Sequence, residues 1–323
     1  MNSSFSGHQI AAAVAVSLAT GLYFIKRYYA GGVCRSRASL KGKVVIVTGA
    51  NSGIGLEAAR DFAKRGGRVI LACRNQSRGQ AAMQEIRQTT GNNDVVYMHL
   101  DLASFKSIRQ FAQQIIENEK AIDILVNNAG LGCNRKLTED GLEFIMGVNH
   151  FGHFLLTNLL LDKIKQSAPS RIINVSSIVY TFIKSINFDD IQNEKNFDVF
   201  KVYCQSKLAN ILFTRSLAKK LKDSNVTVNA LHPGSVRTEI WKELWLLKYT
   251  FGRWLFYGLT YIFFKSTYEG AQTTIYLAVS EDVKGVTGHY FADCRPVKLM
   301  EHAVDEEAGN RLWNISEQLT GLK

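Results

Sequence analysis

From residue 43 onward, short β-branched runs alternate with helical segments. No other feature of the chain constrains its fold as tightly. Residues 43–48 (KVVIVT), 68–73 (RVILAC), 95–99, 122–127 (IDILVN), 171–175 (RIINV) and 226–231 read as six strands. The spacing predicts helices over 55–65, 77–90, 105–120 with Ser104 as cap, 140–165 and 202–222. Apolar strands separated by helices of this length imply a parallel sheet covered on both faces. The expectation is a single doubly wound α/β domain over residues 41–323.

The turn after the first strand reads Thr48-Gly49-Ala50-Asn51-Ser52-Gly53-Ile54-Gly55. Gly49 permits a tight turn, Gly53 lets the backbone approach a pyrophosphate, and Gly55 lets helix pack close to strand. The helix amino terminus then faces phosphate oxygens. Gly49, Asn51, Ser52, Gly53, Ile54 and Gly55 are therefore candidate dinucleotide contacts in a Rossmann-like sheet. An NAD site places an acid at the end of the second strand, but here the chain reads Leu71-Ala72-Cys73-Arg74-Asn75. Arg74 suits a 2′-phosphate, which favours NADP(H) over NAD(H). A solvated surface arginine is the plainer alternative.

Residues 10–25 (IAAAVAVSLATGLYFI) carry no charge. At about 1.5 Å per residue they span about 24 Å, short of a ~30 Å hydrocarbon core. The uncharged flank at 5–7 and a snorkelling Lys26 close the gap. A cleaved signal peptide would have a basic start, and residues 1–9 hold no Lys or Arg. Residues 1–30 are expected to anchor the chain in a membrane and 31–40 to form a basic juxtamembrane linker. Basic residues after the apolar run keep the body in the cytoplasm. The expectation is a membrane-anchored protein whose carboxyl-terminal body faces the cytoplasm. Five scattered cysteines without a CxxC pair fit a reducing compartment.

Tyr203 and Lys207 stand four apart on one predicted helix, hence on one face. An ammonium beside a phenol stabilises the phenolate and lowers its pKa. His150 and His153 stand three apart, but nothing nearby completes a ligand set, so no metal is expected.

These residues, with NNAG at 127–130, Asn149, Ser176-Ser177 and Pro233-Gly234, occur in the order of the short-chain dehydrogenases/reductases, and the chain resembles that family over about 40–295. The resemblance implies that Tyr203 is the general acid/base and that Ser177 hydrogen-bonds the substrate oxygen. Lys207 would hold the ribose hydroxyls, and Asn149 would position a helix and the water of a proton relay. Asp101 and Leu102 would face adenine. Asn128, Ala129 and Gly130 would line the ribose side. Pro233, Val236 and Thr238 would line the cofactor, with Thr238 at the carboxamide. Ser176 reads as structural, and the Asn174 sequon falls in a buried strand. Family analogy suggests a homodimer.

Within the family the chain resembles the membrane-anchored retinol dehydrogenases, through LACR at 71–74, GVNHFGHFLLT at 147–157, APSRI at 168–172, SKLANILFT at 206–214 and GAQT at 270–273. That likeness implies interconversion of retinol and retinal, chiefly reduction of all-trans-retinal with NADPH. Other lipophilic aldehydes or ketosteroids, or a membrane-tethered NADPH-binding scaffold without turnover, are the alternatives. Residues 178–201 are expected to form a loop over the substrate, with Tyr180, Phe182, Ile183, Phe188 and Phe197 as possible apolar walls. The aromatic, basic-fringed stretch 239–265 reads as a substrate lid, either membrane-facing or buried. The formal net charge of +11 first leaves nucleic acid, membranes and anionic ligands open. Residues 1–56 supply +6 of it and residues 241–265, with four basic residues and one acid, supply +3. That placement points to membrane lipid and away from nucleic acid.

Overall fold

The computed structural model describes residues 7–236 and 263–323. Thr238 and most of the 239–265 segment lie outside the described residues. The six strands read from the sequence appear as β1 (Val44–Thr48), β2 (Arg68–Cys73), β3 (Val95–His99), β4 (Ile124–Asn127), β5 (Ser170–Val175) and β6 (Val226–His232). Two short strands follow, β7 (Tyr290–Ala292) and β8 (Arg295–Pro296). The sheet order is β3-β2-β1-β4-β5-β6-β7-β8. Strands β1 to β7 run parallel and β8 runs antiparallel. The order reverses between β1 and β4, which opens a crevice at their carboxyl ends.

All five residues of β1 are buried because the sheet is covered on both sides. Alternate side chains serve opposite faces. Ile46 joins Ile70, Leu125, Phe111 and Phe154 in one core. Val45 and Val47 join Phe62, Leu71 and Ile275 in the other. The helices are α1 (Gly7–Ala30), α2 (Gly53–Lys64), α3 (Gln76–Thr90), α4 (Phe105–Asn118), α5 (Phe144–Gln166), α6 (Val199–Lys220), α7 (Thr267–Val279) and α8 (Glu306–Thr320). Ser104 caps α4 as expected, accepting the Ser107 N–H. The α8 helix escaped the sequence reading. It packs Trp313 against Phe154 and Phe213, with ring centroids 5.0 and 5.9 Å apart.

Among the described residues, two helices are long and apolar enough to cross a membrane. Most of α5 is buried in the core, so its apolarity serves packing. By contrast, α1 exposes Val14, Val16, Leu22, Tyr23, Phe24 and Ile25. Its 24 residues span about 36 Å, enough for a bilayer core. Its carboxyl end meets the body, where Ala30 is buried. Lys26, read from the sequence as a snorkelling cation, is ion-paired with Glu269 at 2.8 Å.

Candidate active site

The glycine turn ends β1 at the sheet crevice. Gly49 and Gly53 have φ of +66° and +60°, where side chains other than glycine are strained. A Cβ on Gly55 would lie 2.5 Å from Asn128 Nδ2 and 2.7 Å from Gly49 O, so only glycine lets α2 approach this closely. A Cβ on Gly53 would meet nothing within 4 Å, so the turn opens outward there. Ser52 stands at the N-cap of α2 and makes no side-chain bond to the first turn. Those N–H groups are thus available to an anion. Arg74 is exposed at the end of β2, and among the described residues no carboxylate pairs with it. These features fit a dinucleotide carrying a 2′-phosphate.

Thr48 organises the next layer. Its Oγ1 accepts the N–H groups of Asn128 and Ala129 at 2.9 and 3.0 Å, while Asn128 Nδ2 donates to Thr48 O at 2.8 Å. The Asn128 amide is therefore spent on joining β1 to β4. Asp101 Oδ1 accepts the Ala103 N–H, shaping its loop, and Leu102 is buried beside Gly152 of α5.

Asn149 lies in a π-helical turn, Gly147–Phe151, within α5. That wider turn aims its amide at the chain after β4. Oδ1 accepts the Leu131 N–H at 2.9 Å, and Nδ2 donates to Leu131 O and Ser206 Oγ, both at 3.0 Å. The Asn149 carbonyl meets His153 Nδ1 at 3.2 Å. Asn149 is thereby linked to α6, where Ser206 sits between Tyr203 and Lys207 and donates to Tyr203 O at 2.8 Å. Lys207 Nζ donates to Val175 O at 3.2 Å and stands 5.4 Å from the Tyr203 ring centroid. Gly130 closes the group, since a Cβ there would lie 3.1 Å from Lys207 Nζ. Ser176 donates to Lys207 O at 2.6 Å, a structural role, while Ser177 caps the turn after β5 and remains half-exposed.

Burial, followed by the adjacent Cys204 thiol, pushes the Tyr203 phenol up to about 12. Burial draws the Lys207 ammonium down to about 8. Loss of water around the hydroxyl dominates, and the Lys207 ammonium, 5.4 Å from the ring centroid, does not offset it. Tyr203 is therefore protonated at neutral pH, the form that can give a proton to a carbonyl oxygen.

Several contributing residues were missed in the sequence. Gln205 anchors the 178–198 loop, accepting the Asn187 N–H at 2.7 Å and donating to Asn193 at 3.0 Å. His232 Nδ1 accepts the Ile178 N–H at 3.2 Å beside Ser177. Burial, aided by the Lys265 charge, lowers His232 to about 4 and keeps that nitrogen an acceptor. Lys265 is buried beneath the Pro233–Gly234 turn. Val236 and Ile54 both border Gly270, which brings the two ends of the candidate cofactor set together. Of the five suggested substrate walls, Tyr180 is core, meeting Tyr290 edge-on, and Ile183, Phe188 and Phe197 pack against the same cluster. Phe182 alone of these is strongly exposed, paired with Phe200.

The two α5 histidines serve packing. His150 bonds Ser316 at 3.0 Å and His153 bonds Thr48 at 2.9 Å. Burial lowers them to about 3 and about 4, against 6.5 for an ordinary ring. Below pH 6.5 the unfolded chain binds protons that the folded chain refuses, so stability present at pH 7 is lost as pH falls toward 4. Each ring should cost about 1.4 kcal/mol per pH unit in that window. Thermal melts between pH 7 and 5 check this; a flat melting temperature would refute it.

A doubly wound sheet with a phosphate-type glycine turn, and a Tyr–Lys–Ser–Asn group at its carboxyl edge, defines a dehydrogenase-type oxidoreductase. Residues 43–246 match the short chain dehydrogenase family, and the chain belongs to it. Human retinol dehydrogenase 13 is 48% identical over 309 residues, covering 95% of this chain and 93% of that protein. The crystal structure of an uncharacterised Mycobacterium paratuberculosis protein superposes with TM-score 0.72 at 31% identity, covering 90% of this chain and 98% of that one. A protein of Escherichia coli CFT073, described as a short chain dehydrogenase and solved with NADPH, gives 0.61 at 25% identity, over 80% of this chain and 99% of its own.

Proposed function

We propose that the chain interconverts retinol and retinal, working chiefly as an NADPH-dependent reductase of all-trans-retinal. The observation that carries the chemistry is the partly buried Tyr203 beside the buried Lys207, joined through Ser206 to Asn149. The 48% identity to human retinol dehydrogenase 13 supports the retinoid. Tyr203 gives its hydroxyl proton to the aldehyde oxygen, which Ser177 orients. Lys207 and Asn149 hold the chain on which the proton is restored. NADP(H), when bound, supplies or accepts the hydride. Gly49, Asn51, Ser52, Gly53, Ile54 and Gly55 hold its phosphates and Arg74 its 2′-phosphate. Asp101, Leu102, Ala129, Gly130, Lys207, Pro233 and Val236 line the remainder. Pre-positioned donors of this kind act where charge develops on the oxygen.

The exposed apolar α1 supports a membrane anchor, family analogy alone supports the endoplasmic reticulum, and the basic residues following α1 support a cytoplasmic catalytic domain. Family analogy alone supports a homodimer. The test is NADPH-dependent turnover by membranes bearing the full chain, offered all-trans-retinal, medium-chain aldehydes and ketosteroids. Retinol should form fastest. Turnover of the other carbonyls without retinol formation would reassign the substrate, and no turnover of any would favour a scaffold.

A further inference from the structure

We infer that the foot of α1 is a positioning element of the active site, latched through Lys26 and Tyr29 to the chain that braces the Pro233–Gly234 turn. Lys26 Nζ lies 2.8 Å from Glu269 Oε2 and donates to Phe264 O at 3.2 Å. The two charged side chains are only 20% and 19% exposed. Tyr29 meets Phe263 edge-on, with centroids 5.3 Å apart. Between these contacts runs Lys265, whose N–H donates to Ser235 O at 2.8 Å and whose buried ammonium pairs with Asp293. The Lys265 stem fills the space under Gly234, where a Cβ would come within 2.6 Å of Cδ. The α1 exit closes on the same pair. Gly31, at φ +72°, leaves no room for a Cβ beside the Asp293 carboxylate and Lys265 Nζ. Three residues on, the Cys34 N–H donates to Gln272 Oε1 at 3.1 Å.

The helix that emerges toward the membrane is thus fastened at its foot to 263–272, and that stretch carries the support of a turn in the candidate cofactor set. A rotation or slide of α1 would pull on Phe264 and Glu269 and pass to Lys265 and Gly234. Glu269 also accepts the Ser266 N–H at 2.7 Å in a capping box, so loss of Lys26 leaves its carboxylate partnered and α7 capped. Lys26→Met should therefore fold.

The inference rests on the proposed NADP(H) reading only for its ligand. The experiment uses the full chain in phosphatidylcholine vesicles, with NADPH titrated by fluorescence and amide exchange followed at residues 263–269. Lys26→Met should weaken NADPH binding about fivefold, the upper range for one partly exposed ion pair, while Lys26→Arg stays within about twofold of wild type. Exchange at Lys265 should quicken in Lys26→Met and not in Lys26→Arg. Unchanged binding and exchange in Lys26→Met would overturn the latch, as would equal losses in both variants. If the wild-type chain binds no NADPH, the cofactor reading fails, and the exchange contrast still decides the latch.

Discussion

Tyr203→Phe is expected to lower kcat for carbonyl reduction by about 10³-fold or more, in the upper range for loss of a positioned acid. NADPH binding should stay near wild type. The substitution keeps the ring that packs beside Lys207 and removes only the hydroxyl. Burial keeps the phenol protonated at neutral pH, so the wild-type enzyme holds its proton ready. The nearest cation, Lys207, is engaged with Val175 O and is not placed to replace it. Single-turnover measurements at saturating NADPH would isolate the proton-transfer step. Retention of a tenth of wild-type turnover would remove Tyr203 from the role of acid.

Arg74→Asp is expected to lower the ratio of kcat/KM with NADPH to that with NADH by about 10²- to 10³-fold. Two effects add. A charge-assisted bond to the 2′-phosphate is worth about 1.5–3 kcal/mol, and a carboxylate in its place repels that phosphate while accepting the free 2′-hydroxyl of NADH. Arg74 is exposed at the end of β2 and is no part of the core, so folding should be spared. Steady-state kinetics with both cofactors provides the check. An unchanged ratio would assign the 2′-phosphate to other residues.

Much of the site was readable because its parts are local. The glycine turn joins one strand to one helix, and Tyr203 and Lys207 share one helix face. Other parts were not readable because their partners are remote. The π-helical turn that aims Asn149 has no sequence signature, and its targets Leu131 and Ser206 lie 18 and 57 residues away. The middle residues of the Tyr203–Lys207 segment carry no spacing signal of their own. Gln205 and Ser206 hold the 178–198 loop and Asn149. Lys26 was read by its distance from an apolar run, yet its partner stands 243 residues further along the chain.

Sequence alone determined the parallel sheet, the phosphate turn and the residue types that can move a proton, because periodicity and short-range spacing dictate them. It also marked α1 as apolar throughout, but α5 is nearly as apolar, and only packing separates the helix that faces outward from the one that fills the core. The protonation of Tyr203 belonged to the tertiary structure too. A neighbouring ammonium and burial push the phenol in opposite directions, and which prevails depends on how much water the assembled fold leaves around the hydroxyl.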